Sequence, residues 1–136
     1  MNPIARHVKP IMLVSGTLTA TMLYAALAPA AALTSTFGES LSGPLADLVV
    51  RNWGVLVALV GAMLVYGAFD AGSRRLALTV AALSKLAFIA LVLSQGSRYL
   101  PHGAGIAIAI DTLMVILFSV CLFTPLAQRS KSFASV

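Results

Sequence analysis

Four apolar stretches, residues 11–33, 44–69, 76–95 and 104–126, take up most of this chain, and only short polar segments separate them. Each is long enough to supply the roughly 20 apolar residues that a helix needs to cross bilayer hydrocarbon. Of 136 residues, 60% are hydrophobic and 10% are charged, which leaves too little polar surface to wrap a soluble core. The expected fold is an all-α membrane protein, an antiparallel bundle of four transmembrane helices. It forms one domain over residues 1–136, with no room for a separate soluble one.

The first stretch imitates a secretory signal: Arg6, His7 and Lys9 precede it, and a run of small residues from Ala25 to Ala32 looks like an alanine-type cleavage site. Its apolar run exceeds the 7–15 residues of a signal core, so it is expected to remain as helix 1. Ser15, Thr17, Thr19 and Thr21 lie along it. Hydroxyls in a membrane helix bond to their own backbone carbonyls, and small side chains let helices approach closely, so packing is expected here ahead of a polar lining. Pro29 should end or kink this helix.

A loop is expected over 34–43, carrying Glu39. Pro44 then opens helix 2, with Ser42 as its cap and Asp47 at the positive end of the helix dipole. Asp47 and Arg51 should stand at the outer membrane interface, with Trp53 at headgroup level. Gly54, Ala58 and Ala62 recur every four residues and predict a narrow side that presses against a neighbouring helix. Residues 70–75 (DAGSRR) read as a tight polar turn into helix 3, and residues 95–103 (QGSRYLPHG) as the loop into helix 4.

Charge distribution sets the orientation. If both termini share one side, that side carries six basic residues, Arg6, Lys9, Arg74, Arg75, Arg129 and Lys131, whereas the other carries two, Arg51 and Arg98. The excess predicts cytoplasmic termini, in a multi-pass protein of the cell inner membrane whose first partner is the lipid bilayer. The net charge of +5 is explained by these membrane-end residues. They form no solvated basic patch that could track phosphates, so nucleic acid is not expected as a partner.

Lys85 and Asp111 break the apolar pattern of helices 3 and 4. At ~1.5 Å rise per residue they should lie about 15 and 10 Å below the outer surface. The short loop makes the two helices neighbours, so an ion pair is within reach of the lysine stem. Insertion remains feasible. Helix 3 has ten Leu, Ile, Val or Phe residues and helix 4 has twelve, each worth about −0.3 to −0.6 kcal/mol against about +2.5 to +3.5 for one charge. Intramembrane Asp and Lys usually face a protein interior or a water-filled cavity. Two readings follow: a bridge that fixes the register of helices 3 and 4, or an outer-half polar cavity that binds a small ionic ligand or relays a proton. In the second reading Arg51 and Glu39, with Asp47 beside them, supply charges at the outer mouth.

Enzymatic chemistry has little support in the residues present. His7 and His102 fall on opposite sides of the membrane, which argues against bis-histidine haem ligation, a metal site and a Ser, His and Asp set. Cys121 is the single cysteine, so an internal disulfide and a CxxC motif are ruled out, and it is expected to be a small buried apolar residue. The GxG at 103–105 has no third glycine and no preceding strand, so a dinucleotide site is not expected either. Neither a cofactor nor a metal is predicted.

Helix 1 also lacks the membrane carboxylate of small multidrug-resistance transporters, and the motifs of fluoride channels are missing. The overall plan resembles DoxX-like small membrane proteins: four helices, the RNWG segment Arg51 to Gly54 opening helix 2, and polar residues in the last two helices. That resemblance implies the four-helix fold and a bacterial inner-membrane setting. Some DoxX-like proteins associate with redox complexes, but no cofactor ligand here carries that over. The sequence reading is therefore an accessory or assembly subunit of a larger membrane complex, in which the Lys85 and Asp111 pair fixes helices 3 and 4. The alternative is a small proton- or ion-coupled transporter built around the same pair.

Overall fold

The structure, a computed structural model, describes residues 6–134, and the side chains of residues 6–123 among them. All regular structure in these residues is helical, in six segments: α1 (Val8–Ala20), α2 (Leu23–Leu27), α3 (Pro29–Phe37), α4 (Pro44–Phe69), α5 (Ala71–Leu93) and α6 (Gly103–Ala134). Four spans are long and apolar enough to cross a membrane, namely Val8–Leu27, Pro44–Phe69, Ala71–Leu93 and Gly103–Phe123. The chain is thus a small helical membrane protein with four potential crossings. Arg129 and Lys131, which entered the orientation argument, have side chains outside the described residues.

The expected first helix over 11–33 is instead three pieces. Around Thr21 and Met22 the backbone tightens, with the Met22, Tyr24 and Ala25 amides each bonding to a carbonyl three residues back. A second break falls at Ala28, whose φ of −137° and ψ of 72° lie outside the helical region. Pro29 explains it, because its ring crowds the preceding residue out of the α conformation while its own fixed φ suits the first position of a new helix. The chain then stays helical beyond the expected boundary, to Phe37. Gly38, with φ of 73°, ends α3 in the left-handed conformation, shortening the predicted 34–43 loop.

The α4 to α5 connection is tighter than the predicted six-residue turn. Asp70 alone links the helices in an extended conformation, and Gly72 to Arg75 already belong to α5. The Arg74 guanidinium makes this possible by donating to the Gly67 and Ala68 carbonyls, which the end of α4 would otherwise leave unpartnered. The Ser73 hydroxyl donates to the Asp70 carboxylate, fixing the junction from the other side. At this same end Lys9 lies 4.5 Å from the centre of the Phe69 ring.

Close packing is concentrated on glycines spaced differently from the predicted stripe. Gly54 and Gly61 are buried, whereas Ala62 is exposed. A Cβ placed on Gly61 would lie 2.5 Å from the Ala20 nitrogen and 2.6 Å from the Gly16 carbonyl oxygen, and one on Gly16 would lie 2.7 Å from the Gly61 carbonyl oxygen. Two glycines facing each other let the backbones of α1 and α4 touch, as small residues do in membrane helix pairs. The seven-residue spacing of Gly54 and Gly61 keeps both on the face toward α1 and α2.

The hydrophobic core occupies the half of the bundle nearer Asp70. Met12, Leu64, Leu78, Phe118 and Cys121 are its largest fully buried side chains, filled in by Ala68, Ala77 and Ala81. Cys121 is a buried, free thiol within that core. Toward the opposite end the helices enclose open space.

Candidate functional site

Lys85 lies on the inward side of α5, one turn beyond the buried Ala81 and Ala82, and only 7% of its surface is exposed. Its Nζ is 2.9 Å from Asp111 Oδ1 on α6. It also donates to Thr19 Oγ1 on α1 at 3.2 Å, and the Thr19 hydroxyl in turn donates to the Ser15 carbonyl at 2.7 Å. The sequence of donors and acceptors explains why a threonine is suited to that position. Its proton is committed to its own helix, so its oxygen is free to accept from an ammonium. Three helices are tied together through one nitrogen.

Two of the three ammonium protons are thereby used. Asp111 presents only Oδ1 to a hydrogen bond, and its side chain keeps 17% of its surface exposed, more than the 8% of the lysine. Among the described residues, no buried side-chain nitrogen or oxygen lacks a partner. Lys85 and Asp111 are both wall residues of a cavity of about 540 Å³, and the third ammonium proton and the second carboxylate oxygen are left over from the bonds that join the helices.

The cavity occupies the space above the packed core. One face of α4, Trp53, Leu56, Val57 and Val60, lines it opposite Ser84, Phe88 and Leu91 of α5. Ala107 and Met114, each one turn from Asp111, line it from α6, and Thr36 from α3. Its walls are chiefly hydrocarbon, with hydroxyls, the Trp53 indole and the one ion pair as the polar points. This composition, and a volume inside the roughly 300–1,000 Å³ range of small-molecule pockets, is typical of a ligand site.

The end farthest from Asp70 is closed by α3 and the loop before α6. Phe37 sits 6.2 Å from Trp53 and meets Tyr99 edge-on at 5.3 Å. Arg98 bonds Glu39 at 2.7 Å, an exposed pair in which the hydrogen bond to the carboxylate, and then its charge, hold the guanidinium above the ordinary arginine pKa. Gly103 backs against the Ser35 carbonyl so closely that a Cβ there would come within 2.5 Å of it.

The structure brings Lys85 and Asp111 together but does not bring the mouth charges to them. Glu39 is engaged by Arg98. Arg51 bonds Asp47 at 2.8 Å, one helical turn away, and donates to the Ala26 carbonyl at 2.6 Å. That carbonyl belongs to the last turn of α2, where the break at Ala28 removes the regular helical donors, so Arg51 serves the helix break. None of Glu39, Asp47 or Arg51 lines the cavity.

Thr19 is the polar residue that sequence reasoning passed over. Thr17 and Thr21 do what was expected and bond to carbonyls of their own helix. Thr19 does the same and is also buried against Lys85. A signal was available in its position, four residues after the buried Ser15 and three after the closely packed Gly16, on the inward side of α1. Among the described residues, no group of three or more His, Cys, Asp or Glu side chains is placed to hold a metal ion. No family model, curated protein or solved structure matches the chain.

Proposed function

We propose that this protein is a small multi-pass inner-membrane protein that holds a ligand in the cavity beside Lys85 and Asp111, as a carrier or membrane-embedded binding protein. The four crossings run antiparallel, with both termini in the cytoplasm. Lys9, Arg74 and Arg75 then lie on the cytoplasmic side, and the Phe37, Trp53 and Tyr99 cluster lies at the outer interface, where aromatic residues are favoured. The single observation that carries the binding reading is that the ion pair borders open volume. A pair serving only helix register would be expected in a closed contact between α5 and α6.

A DoxX-like plan is part of this proposal. What supports it is the use made of the RNWG segment: Arg51 serves the α2 break, Trp53 lines the cavity and Gly54 packs against Ala25 and Ala26.

The second reading is the accessory or assembly subunit with a structural bridge. Its supporting observation is that Lys85 already bonds both Asp111 and Thr19, joining three helices without any ligand. One experiment separates the two. Protein released from its native membrane in mild detergent is examined by native mass spectrometry, as wild type and as the Lys85→Met, Asp111→Leu double variant. A small molecule retained by the wild type and lost from a folded double variant supports the binding reading. Equal recovery of both proteins with a larger membrane partner, and no retained molecule, supports the accessory reading and defeats the first.

A further inference from the structure

The unused hydrogen-bonding valences of the site restrict the ligand that would fit it. The pair is a cation and an anion in contact, so the site as a whole is neutral. The other cavity-lining side chains capable of hydrogen bonding are uncharged, the Trp53 indole and the hydroxyls of Thr19, Thr21 and Ser84 among them. A ligand carrying net charge would bring that charge into hydrocarbon surroundings with no counter-ion left to meet it, which is costly. A head with one acceptor and one donor has no such penalty. Its oxygen accepts the third Lys85 proton and its hydrogen goes to the second oxygen of Asp111.

The walls and the opening specify the rest of the molecule. Leu56 on α4 and Leu91 on α5 both line the cavity and are also 53% and 70% exposed. Both lie within the candidate spans Pro44–Phe69 and Ala71–Leu93. These two leucines give the cavity a wall whose outer side faces lipid within the candidate spans, whereas Thr36 of α3 and Gly103 line it toward the other end. A solute from water would meet the aromatic cluster. A molecule dissolved in the lipid would meet leucines.

We propose that the ligand of this cavity is an uncharged lipid-phase amphiphile, an apolar chain bearing a hydroxyl-type head, taken up sideways from the bilayer and held by Lys85 and Asp111. This rests on the binding reading above and narrows its ligand class. Entry does not require the ion pair to separate, because the head adds to both partners at once. The Lys85 and Asp111 contact can persist while the alkyl chain lies along Phe88, Leu91 and Leu56.

The test uses the full chain in nanodiscs of phosphatidylcholine and a long-chain alcohol carrying a photoactivatable diazirine, with labelled residues read by peptide mass spectrometry. Oleyl alcohol, oleylamine and an oleyl sulfonate compete as neutral, cationic and anionic heads on one chain. The expected result is labelling of cavity residues on α4 and α5. Oleyl alcohol should compete at least about tenfold more effectively than either charged analogue, equivalent to about 1.4 kcal/mol. Two variants accompany it, each checked to be folded by a cooperative melting transition. Lys85→Met with Asp111→Leu removes both partners of the head, and Ala107→Leu fills cavity space while leaving both charged residues in place. Both should lose the labelling. If the sulfonate or the amine competes as well as the alcohol, with labelling still dependent on the pair, the uncharged class is wrong and the pocket stands. If labelling is missing, or is the same in folded variants and wild type, the pocket reading itself fails.

Discussion

Lys85 Nζ stands 2.9 Å from Asp111 Oδ1 and 3.2 Å from Thr19 Oγ1, so one buried ammonium joins α5 to both α6 and α1. Removing a single partner leaves the other charge without its counter-ion in a low-dielectric setting, whereas removing both leaves an apolar contact. Lys85→Met and Asp111→Leu should each destabilise by about 3–5 kcal/mol, and the double change should recover most of that loss. Reversible unfolding in mixed detergent measures all three. Additive losses in the double variant would show that the pair is not coupled.

Thr19 gives a sharper version of the same test, since only its hydroxyl is at issue. Thr19→Val keeps the β-branched shape and withdraws an acceptor from the lysine, for an expected loss of about 1–3 kcal/mol. Thr17→Val removes a hydroxyl that bonds only the Leu13 carbonyl on an exposed face and should stay within about 0.5 kcal/mol of wild type. Comparable effects at the two positions would remove Thr19 from the site.

The glycine contact between α1 and α4 should tolerate no side chain. Gly61→Leu would drive a Cβ into the backbone at Ala20 and Gly16. Overpacking of this kind costs typically 1–3 kcal/mol, and more where the obstacle is backbone. Ala62→Leu, one residue along on an exposed face, should leave the melting temperature unchanged. The same unfolding assay distinguishes them.

Topology is accessible through thiol labelling, because the one natural cysteine, Cys121, is buried. Ser40→Cys should react with a membrane-impermeant maleimide added outside intact cells, and Gly72→Cys should react only after the membrane is opened. The reverse pattern would place the termini outside.

The exposed pair of Glu39 and Arg98 should respond weakly to pH. Pairing raises the folded-state pKa of Arg98, so its contribution is complete below the ordinary arginine value and is lost only as pH rises through the higher folded one. Melting temperatures of wild type and Arg98→Gln should therefore run parallel across the neutral and mildly alkaline range. A gap that narrows there would mean that Arg98 does not remain paired.

Much of the fold was legible because membrane helices are specified by length and apolarity, which are properties of the chain itself. Four helices long and apolar enough to cross a membrane, and the approach of Lys85 to Asp111, follow from residue counts, short loops and the reach of a lysine stem. Composition alone could not place the breaks in the first stretch. The proline was visible, but whether it ended a helix or began one was not, and it is Arg51 from across the interface that donates to the Ala26 carbonyl at the break. Nor could spacing choose between Gly54, Ala58 and Ala62 and the actual contact of Gly16 with Gly61, because a small residue becomes a seam only when another backbone lies against it. The separate engagements of Glu39 and Arg51, the recruitment of Thr19 and the open volume beside the ion pair are all relations between helices distant in sequence. The sequence determined that two charges would lie within helices apolar enough to cross a membrane, since no polar segment was available to carry them elsewhere. Only the tertiary structure decided that they border a cavity, because the space depends on how far apart the walls of four helices stand.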